Sequence, residues 1–374
     1  MKKILLISRG IPSKQDPMWG NFELDQALAL KKFGNDVVVM SIDRRIRFYW
    51  RKIGISKETV KGIHMYNFFF PLPYKILPRF INNYFVDLFA KHLYRFIEKN
   101  EGNFDIVHGH YLPNIRIANV IGENFGINTV GTEHWSELKR KPIKNSVKQD
   151  AKETYPHIDR VISVSKPLEL ILKDEFNVDS TFVGCVIDDV FKYEPKIGDH
   201  KFKFIAVGSL FKIKGFDIAI KAFSAANFGE DVEFYIIGEG DQRAYLEEII
   251  KEENVSNQVK LLGRKTRSEI MEIMQSSSAY ILSSRSENFA TACMEALSAG
   301  LPAIMTKCGG PEDFVDETNS ILVEVDNIQE MAEAMQFMVN NFSRYNSELI
   351  SKSVKSKYSA TAIATQLNKI YESI

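Results

Sequence analysis

Short apolar runs alternate with amphipathic stretches along the whole chain. The runs are rich in β-branched residues and apolar throughout, which is typical of parallel strands covered by helices on both faces. They predict strands in the first half at residues 4–8, 36–41, 105–108, 128–132 and 160–165. In the second half they predict strands at residues 202–207, 233–237, 259–262, 279–282, 302–306 and 321–325. The pattern therefore predicts an α/β protein with two Rossmann-like, doubly wound sheets.

A polar, turn-rich passage at residues 179–198 separates the two sets of strands. We therefore predict a boundary near residues 185–200, with a first domain at 1–190 and a second at 191–357. Each half is long enough to bury its own core. Because ligands of such sheets bind at the carboxyl ends of the strands, we expect the two sheets to face one cleft.

The composition is that of an ordinary globular protein. Of the 374 residues, 45% are hydrophobic and 26% charged, and 48 Lys and Arg balance 48 Asp and Glu. This excludes disordered, collagen-like and coiled-coil chains and argues against a chain that coats nucleic acid. The three cysteines lie far apart without a Cys-x-x-Cys motif, which favours a reducing, cytoplasmic location over a disulfide framework or zinc ribbon. No apolar window of about 18 residues exists, so no transmembrane helix is predicted.

Two basic clusters lie in the first half. Residues 44–61 mix seven Arg and Lys with Phe48-Tyr49-Trp50, and an aromatic stretch follows at residues 66–85; the second cluster is residues 139–148. One interpretation is a solvated loop leading into a core strand and a packed amphipathic helix. The other is a surface that touches an anionic lipid interface or a large acceptor.

Glu295 is the only charged residue between Asn288 and Thr306. A carboxylate on a helix that is apolar or small on nearly every face must find hydrogen-bond donors. Thr291 and Glu295 share one helix face, and side chains lean toward the helix N-terminus, so the carboxylate is expected to face the strand ends. Two ribose hydroxyls would satisfy it, and free N–H groups near Ala290 would suit a phosphate or sugar oxygen. Hydrogen bonds from another loop of the protein are the alternative.

Residues 208–215 (Gly-Ser-Leu-Phe-Lys-Ile-Lys-Gly) follow the predicted strand 202–207. They do not form a Walker loop, but Lys212 and Lys214 stand where a diphosphate could bind. A βα turn with two solvated lysines is the alternative. Gly238-Glu239-Gly240 lacks the third glycine of a dinucleotide-binding motif and supports a ligand only weakly.

In the first half, Gly20 follows a loop that could bring backbone close to a ligand. His108-Gly109-His110 and His134 come at strand ends, where a histidine can donate to a substrate hydroxyl or phosphate. Histidines of the core or rim are the alternative. No nearby residue completes a metal-binding set, so no metal is predicted.

Together these residues resemble the family 4 glycosyltransferases, retaining enzymes of the GT-B fold, over nearly the whole chain. The family's Glu-x7-Glu pattern is present as Glu287 and Glu295, followed by Ala-Leu-Ser-Ala-Gly-Leu-Pro at 296–302 and Gly-Gly-Pro-Glu at 309–312. Residues 207–210 with 214–215 are similar to the family's diphosphate loop, and residues 262–264 to its nucleobase-contacting turn. The helical spacing at residues 358–374 suits the family's last helix, which crosses back onto the first domain.

The resemblance implies roles for these residues. Glu295 would hold the donor ribose, and Lys214 the diphosphate. Glu287 and the amides of residues 288–291 would hold the donor sugar and phosphate. Gly20 would approach the diphosphate from the first domain, and His134 would line the reaction centre. The implied catalytic residues are His134, Glu287 and Lys214; the implied donor-binding residues are Gly20, Ser209, Lys212, Lys214, Gly238, Gly263, Arg264, Asn288, Phe289, Ala290, Thr291 and Glu295.

Three positions depart from the family pattern. The family often has Arg where this chain has Ser209, so Lys212 or Lys214 must neutralise more of the diphosphate. It commonly has Gly where this chain has Asn288, and Asn where this chain has Cys185.

The resemblance implies a hexosyltransferase that needs no metal or cofactor. Its co-substrate would be a nucleotide-diphosphate sugar of the UDP or GDP type, and its acceptor a hydroxyl of a glycan or lipid-linked molecule, as in cell-surface polysaccharide synthesis. Its location would be cytoplasmic, with peripheral contact at the inner face of an anionic membrane and no nucleic-acid partner. The alternatives are a sugar-nucleotide epimerase or glycan phosphorylase of the same fold, a dinucleotide-dependent oxidoreductase and a noncatalytic binding protein.

Overall fold

The computed structural model describes residues 1–12, 19–46, 52–71, 77–195 and 201–374. The chain divides into two compact units: residues 1–186 with 360–374 form the first unit, and residues 187–359 form the second. Parts of four segments discussed above lie outside the described residues, namely residues 13–18 of the loop before Gly20, 47–51 of the first basic cluster, 72–76 of the aromatic stretch and 196–198 of the interdomain passage.

The first unit is built on a sheet that is parallel except at one edge. Its strands are β1 Lys3–Ile7, β2 Asp36–Asp43, β3 Gly54–Val60, β4 Ile63–Phe69, β5 Ile106–His110, β6 Asn128–Glu133, β7 Arg160–Ser163 and β8 Ser180–Phe182. Their order is β3-β4-β2-β1-β5-β6-β7-β8, and β3 pairs antiparallel with β4. The central strand β1 is buried over Ile4–Ile7, as expected where helices cover both faces of a sheet.

The second unit is built on a parallel sheet. Its strands are β9 Phe202–Val207, β10 Val232–Ile237, β11 Val259–Leu261, β12 Ala279–Leu282, β13 Ala303–Thr306 and β14 Ser320–Val323. Their order is β11-β10-β9-β12-β13-β14. Phe223 contacts both Phe204 and Phe234 in its core, with ring centroids 6.5 and 5.9 Å apart.

Helices connect the strands in both units. They are α1 Asn21–Lys32, α2 Arg79–Glu101, α3 Leu112–Phe125, α4 Asn145–Thr154, α5 Lys166–Phe176, α6 Phe216–Ala225, α7 Arg243–Glu252, α8 Arg267–Gln275, α9 Thr291–Ser298, α10 Ile328–Asn340, α11 Ser347–Tyr358 and α12 Ala360–Glu372. The last helix, α12, belongs to the first unit, where it packs against α1 and buries Ile363, Leu367 and Tyr371. The predicted return of the C-terminal helix to the first domain is therefore confirmed. In the described part of the chain, no helix is both long enough and apolar enough to cross a bilayer.

Each sheet reverses its strand order at one point. In the first unit the reversal lies between β1 and β5, and in the second it lies between β9 and β12. In open α/β sheets, the crevice outside the carboxyl ends of the two strands at such a point is where ligands bind. The loops after β1, β5, β9 and β12 are therefore the expected ligand-binding loops of the two sheets.

The predicted fold class is confirmed, and each strand predicted from apolar runs is present, with ends that differ by at most two residues. Three strands were not among those predicted from apolar runs, namely β3, β4 and β8; β4 corresponds to the core strand of the first interpretation of the aromatic stretch. Strand β3 is polar and largely exposed, and β8 has three residues, so neither presents an apolar run. The turn Lys61-Gly62 between β3 and β4 has positive φ at both residues, a geometry that favours a tight hairpin.

Candidate active site

The loops that follow β9, β10 and β11 lie edge to edge at the carboxyl end of the second sheet. The Gly208 N–H donates to the Ile237 carbonyl (3.0 Å), and the Gly238 N–H donates to the Gly263 carbonyl (2.9 Å). At Gly238, φ is +148°, and a Cβ would lie 1.8 Å from the Gly208 carbonyl oxygen. Only glycine fits such a contact, so the strip of backbone through Gly208, Gly238 and Gly263 presents no side chain at these points. Ser209 and Arg264, which follow the first and third glycines, are exposed.

Lys214 and Glu287 form an ion pair at the point where the strand order reverses. Lys214 ends a short 3-10 helix after β9, and its Nζ lies 2.6 Å from Glu287 Oε1. The Ser284 hydroxyl donates to the same carboxylate oxygen (2.6 Å). Both ionic side chains are largely shielded from water, 28% exposed for Lys214 and 12% for Glu287. In contrast, Lys212, at the start of the same 3-10 helix, is exposed.

Arg285 fixes the loop that carries Glu287. Its guanidinium pairs with Asp217 of α6 (2.9 Å) and with Asp326, which precedes α10 (2.7 Å). The Glu287 N–H donates to the Cys308 carbonyl (3.1 Å), which ties the same loop to the end of β13. The position of the Glu287 carboxylate is therefore determined by three separate elements of the second unit.

Helix α9 begins with an unusual backbone conformation. Ala290, the residue before its first turn, has φ 52° and ψ 52°, a left-handed conformation that costs a non-glycine residue about 1 kcal/mol. Ala290, as the N-cap residue, provides no side-chain hydrogen bond to this N-terminus. Because Ala290 adopts this conformation, α9 begins only two residues after Phe289. The Phe289 ring is buried against Phe314 and Tyr358. A strained turn ahead of a helix N-terminus is a feature that functional sites often maintain.

Glu295 lies on α9 and is only 8% exposed. It is one turn from Thr291, as the helical spacing predicted. Burial is the largest cause that raises the pKa of the Tyr280 phenol, followed by Cys293 and the carboxylates of Glu287 and Glu295. Both glutamates of the Glu-x7-Glu pattern therefore act electrostatically on one buried phenol, whose oxygen contacts the Val207 carbonyl at the end of β9 (3.2 Å).

The loop after β13 folds around its own carboxylate. Glu312 accepts hydrogen bonds from the N–H groups of Gly309 (2.8 Å) and Gly310 (2.9 Å). Gly310 lies against the loop of Asn288, since a Cβ there would be 2.7 Å from the Asn288 carbonyl oxygen. This arrangement shows that consecutive N–H groups of the loop can hold an anion, a role that Glu312 fills here.

Three histidines form a row at the reversal point of the first sheet, with His108 and His110 buried and His134 half-buried. His108 and His110 lie on β5 with ring centroids 4.7 Å apart, and the next centroid, that of His134, lies 5.2 Å from His110. Nδ1 of His110 is 3.0 Å from Nε2 of His134. Burial lowers the pKa of all three rings, to about 3 for His134. The three imidazoles are therefore neutral at physiological pH, and among the described residues no group of His, Cys, Asp or Glu is arranged to hold a metal.

The row of stacked histidine rings is extended by further planar side chains toward the loop after β1. The Tyr111 ring lies 4.9 Å from that of His134, and the Arg9 guanidinium lies 4.0 Å from the Tyr111 centroid. Arg9 also donates to the fully buried carboxylate of Glu23 (3.1 Å). Trp19 follows, with Arg9 5.4 Å from its ring centroid. The loop after β1 is thus joined to the histidine row by stacked side chains.

Gly20 stands at the N-terminus of α1. Its φ is +81°, and a Cβ would lie 2.2 Å from the Gly10 carbonyl oxygen. Close approach of two backbones within this unit therefore already requires glycine at position 20. The predicted approach of Gly20 to a ligand is compatible with this contact and remains a prediction.

Glu133 shapes the turn that carries His134. Its buried carboxylate accepts from the N–H groups of His134 (2.9 Å) and Trp135 (2.7 Å) and from the Tyr155 hydroxyl (2.7 Å). Burial raises the pKa of Glu133 to about 7, although these hydrogen bonds oppose the shift. Glu133 therefore holds the backbone of the turn, leaving the His134 side chain to be positioned by other residues.

The structure brings together several predicted residues and leaves others apart. Lys214 and Glu287 are in direct contact, and Gly208, Gly238 and Gly263 form one strip. Ser209, Lys212 and Arg264 are exposed beside these groups without a contact that tests their roles. Sequence reasoning missed the partners that position the predicted side chains, which are Ser284, Arg285, Tyr280, Gln26, Tyr111 and Tyr371.

The second basic cluster is partly neutralised. Arg140 and Lys144 pair with Glu137 (2.8 and 3.0 Å), while Lys141 and Lys148 pair with Glu175 (3.6 and 3.3 Å). Two carboxylates thus face four of its cations. The surface keeps a positive excess, but a smaller one than the sequence alone indicated.

Family models match both halves of the chain. The model described as "Glycosyltransferase Family 4" matches residues 23–189, and the one described as "Glycosyl transferases group 1" matches residues 189–356. An uncharacterized glycosyltransferase of Methanocaldococcus jannaschii is 28% identical over 283 residues, which span 74% of this chain and 78% of that protein.

Two further proteins bear on the comparison. A phosphatidylinositol N-acetylglucosaminyltransferase subunit of Saccharomyces cerevisiae is 25% identical over 235 residues, or 59% of this chain and 52% of that subunit. The crystal structure of HepE from Anabaena in complex with UDP and glucose superposes with a TM-score of 0.73 and 15% sequence identity, over the full length of both chains.

Proposed function

Because this chain belongs to the family 4 glycosyltransferases and has the GT-B fold, we propose that it transfers a hexose from a nucleotide-diphosphate sugar to an acceptor hydroxyl. The observation that carries this proposal is the shielded Lys214–Glu287 pair, held at the reversal point of the second sheet beside the start of α9. This is a place where phosphate and sugar oxygens are recognised in α/β sheets.

The proposed donor site uses the groups of the second unit. Lys214, now paired with Glu287, would turn to the donor diphosphate, and Glu287 would then accept hydrogen bonds from sugar hydroxyls. Glu295 would accept from the ribose hydroxyls, and the N–H groups at residues 290–292 would bind a phosphate or sugar oxygen.

The proposed reaction proceeds with retention of the anomeric configuration and without a metal or other cofactor. The bond between the anomeric carbon and the diphosphate oxygen breaks, and the acceptor oxygen bonds to the same face of that carbon. The departing phosphate takes the acceptor's proton, so the products are the glycoside and the nucleoside diphosphate. Catalysis then consists of positioning and of stabilising charge on the leaving group.

Calorimetric titration with UDP-, GDP- and ADP-sugars and with NAD tests the donor class. We expect a UDP- or GDP-sugar to bind and NAD not to bind; HepE, which has the same fold, binds UDP. Binding of NAD alone would instead indicate an oxidoreductase. Product analysis by NMR separates the rivals of the same fold, since an epimerase would act without an acceptor and a phosphorylase would require inorganic phosphate.

For the acceptor we propose a glycan or a lipid-linked molecule of cell-surface polysaccharide synthesis, reached by peripheral contact with an anionic membrane on the cytoplasmic side. The yeast relative's name states that it acts on phosphatidylinositol. In this chain Phe80, Tyr84 and Leu88, each four residues apart on α2, are 75%, 65% and 46% exposed. We call these three residues the apolar face of α2. An apolar helix face beside basic residues is typical of a membrane-surface contact, and the first basic cluster starts here, since Arg44 donates to Asn82 of α2.

Vesicle flotation tests the membrane contact. We expect retention on vesicles of phosphatidylglycerol and phosphatidylcholine at low salt, and a loss of at least about tenfold on changing Phe80, Tyr84 and Leu88 to Ser, because three apolar side chains lose their burial in lipid. The matched control is Leu170→Ser with Leu349→Ser, two comparably exposed leucines elsewhere. Absence of wild-type retention on anionic vesicles, even at low salt, would exclude the membrane contact.

A further inference from the structure

A chain of hydrogen bonds connects His134 to two helices of the first unit. Gln26 of α1 is 7% exposed, and its Nε2 lies 3.2 Å from His110 Nε2 and 3.5 Å from His108 Nδ1. His110 Nδ1 in turn lies 3.0 Å from His134 Nε2. Tyr371 of α12 closes the other end, with its hydroxyl 2.7 Å from His108 Nδ1.

In this series of hydrogen bonds, the donors and acceptors can all be assigned in one direction, starting from Gln26. A neutral imidazole carries one N–H, and its other nitrogen accepts. Because the Gln26 amide nitrogen faces His110 Nε2, that nitrogen accepts and the His110 proton sits on Nδ1. His110 Nδ1–H then donates to His134 Nε2, so the His134 proton sits on Nδ1.

The surroundings of His108 fit the same direction. Burial raises the pKa of Tyr371, so its phenol keeps its proton and can donate to His108 Nδ1. His108 Nε2–H is then free to donate to the Thr132 hydroxyl, which lies 2.7 Å away. In both His108 and His110, the ring nitrogen that carries the proton therefore faces an acceptor, and the other ring nitrogen faces a donor.

We propose that Gln26, acting through His110, is a positioning residue that locks His134 in the Nδ1–H tautomer, so that His134 is a hydrogen-bond donor rather than a base in glycosyl transfer. The catalytic consequence rests on the proposed function; the tautomer itself does not. Nδ1 of His134 lies 3.9 Å from the Cys185 sulfur, a weak hydrogen-bond partner, so in this tautomer the Nδ1 proton points toward that sulfur and a substrate oxygen would have to replace it. A fixed donor suits the oxygen of a sugar or a phosphate, since it needs no reorganisation as charge develops there.

The first test is two-bond ¹H–¹⁵N NMR of the full chain labelled with ¹⁵N-histidine, without substrate. The chain has seven histidines, and the His134→Asn variant assigns the ring of interest by the loss of its signals. We expect wild-type His134 to show the Nδ1–H pattern. An Nε2–H pattern would overturn the proposal, whatever the activity of the protein.

Two variants of Gln26 extend the test. Gln26→Met keeps the length of the side chain but donates no hydrogen bond, so we expect His134 to become a mixture of tautomers. Gln26→Glu replaces the donor by an acceptor, so we expect the direction to reverse and His134 to carry its proton on Nε2. Unchanged tautomers in both folded variants would overturn the role of Gln26.

Kinetics separate positioning from a structural role. We expect Gln26→Met to lower kcat about tenfold, the effect of one lost positioning hydrogen bond, while the donor KM changes little because donor-binding groups of the second unit are unaltered. The control Gln149→Met changes an exposed glutamine of α4 and should leave both constants and the His134 tautomer unchanged. A fall in thermal stability with parallel loss of kcat and donor affinity would contradict positioning. Calorimetry of nucleotide binding by the same proteins tests the proposed function separately.

Discussion

Lys214→Met is expected to lower kcat/KM for the nucleotide-sugar donor by about 10²–10³-fold. The substitution keeps the length of the side chain and removes the cation that would neutralise the diphosphate in a shielded site, a loss of transition-state charge stabilisation of about 3–4 kcal/mol. Lys214 is expected to bear more of this charge than usual because Ser209 stands where the family often has Arg. Steady-state kinetics with the donor identified by calorimetry measure the effect.

The control for Lys214→Met is Lys251→Met, which removes an exposed cation from α7 of the same unit. It should change kcat/KM less than twofold, as expected for a solvated surface charge. Loss of the ion pair also leaves Glu287 with Ser284 as a remaining donor, so thermal unfolding of both variants must be compared. If Lys214→Met folded like the wild type and turned over at an undiminished rate, Lys214 would have no part in diphosphate binding.

Strands and helices could be predicted from the sequence where their burial produces a continuous apolar run or a periodic pattern of apolar residues. Buried parallel strands such as β1 and β9 are continuous apolar runs, and their alternation with amphipathic helices specifies a doubly wound sheet. Strand β3 was not predicted because Ser56, Lys57 and Glu58 face solvent at the sheet edge and leave no apolar run. The sequence signal for this strand is the Lys61-Gly62 turn that joins it to β4. A three-residue strand such as β8 has no period to detect.

The candidate site was predictable in its residue types but not in its contacts. The spacing of Glu287 and Glu295 is local and can be read along one loop and helix. The Lys214–Glu287 pair joins positions 73 residues apart, and the Tyr371–His108 hydrogen bond joins positions 263 apart. Such contacts depend on which strand ends meet at the reversal of each sheet, information that a single sequence carries only through the fold.

The candidate site residues of the two units differ in charge. In the second unit, cation and carboxylate are paired with each other, so a ligand that carries both phosphates and hydroxyls can replace both partners without leaving a shielded charge unpaired. In the first unit, the histidine row is neutral because burial lowers the pKa of each ring, so it offers directed hydrogen bonds instead of charge. The first arrangement fits a nucleotide sugar, and the second fits the orientation of a reacting hydroxyl or sugar oxygen.

Glu295→Ala is expected to weaken nucleotide binding about 100-fold. Glu295 would accept hydrogen bonds from two ribose hydroxyls, and at about 1.5 kcal/mol each, the lower end of the range for bonds to a charged group, the two together contribute about 3 kcal/mol. The effect should appear in the dissociation constant of the free nucleotide as well as that of the nucleotide sugar, because the ribose is common to both. Calorimetry with the nucleoside diphosphate measures it directly.

A structural role for Glu295 makes a different prediction, since a carboxylate that mainly supports another loop would lower the unfolding temperature when removed. We expect Glu295→Ala without ligand to unfold within a few degrees of the wild type and to lose most of the upward shift that saturating nucleotide gives the wild type. Glu248→Ala, which removes an exposed carboxylate of α7, should keep both the affinity and the shift. Undiminished nucleotide affinity in Glu295→Ala would show that the ribose is held elsewhere, and the assignment of the Glu-x7-Glu pair to the donor would then fail.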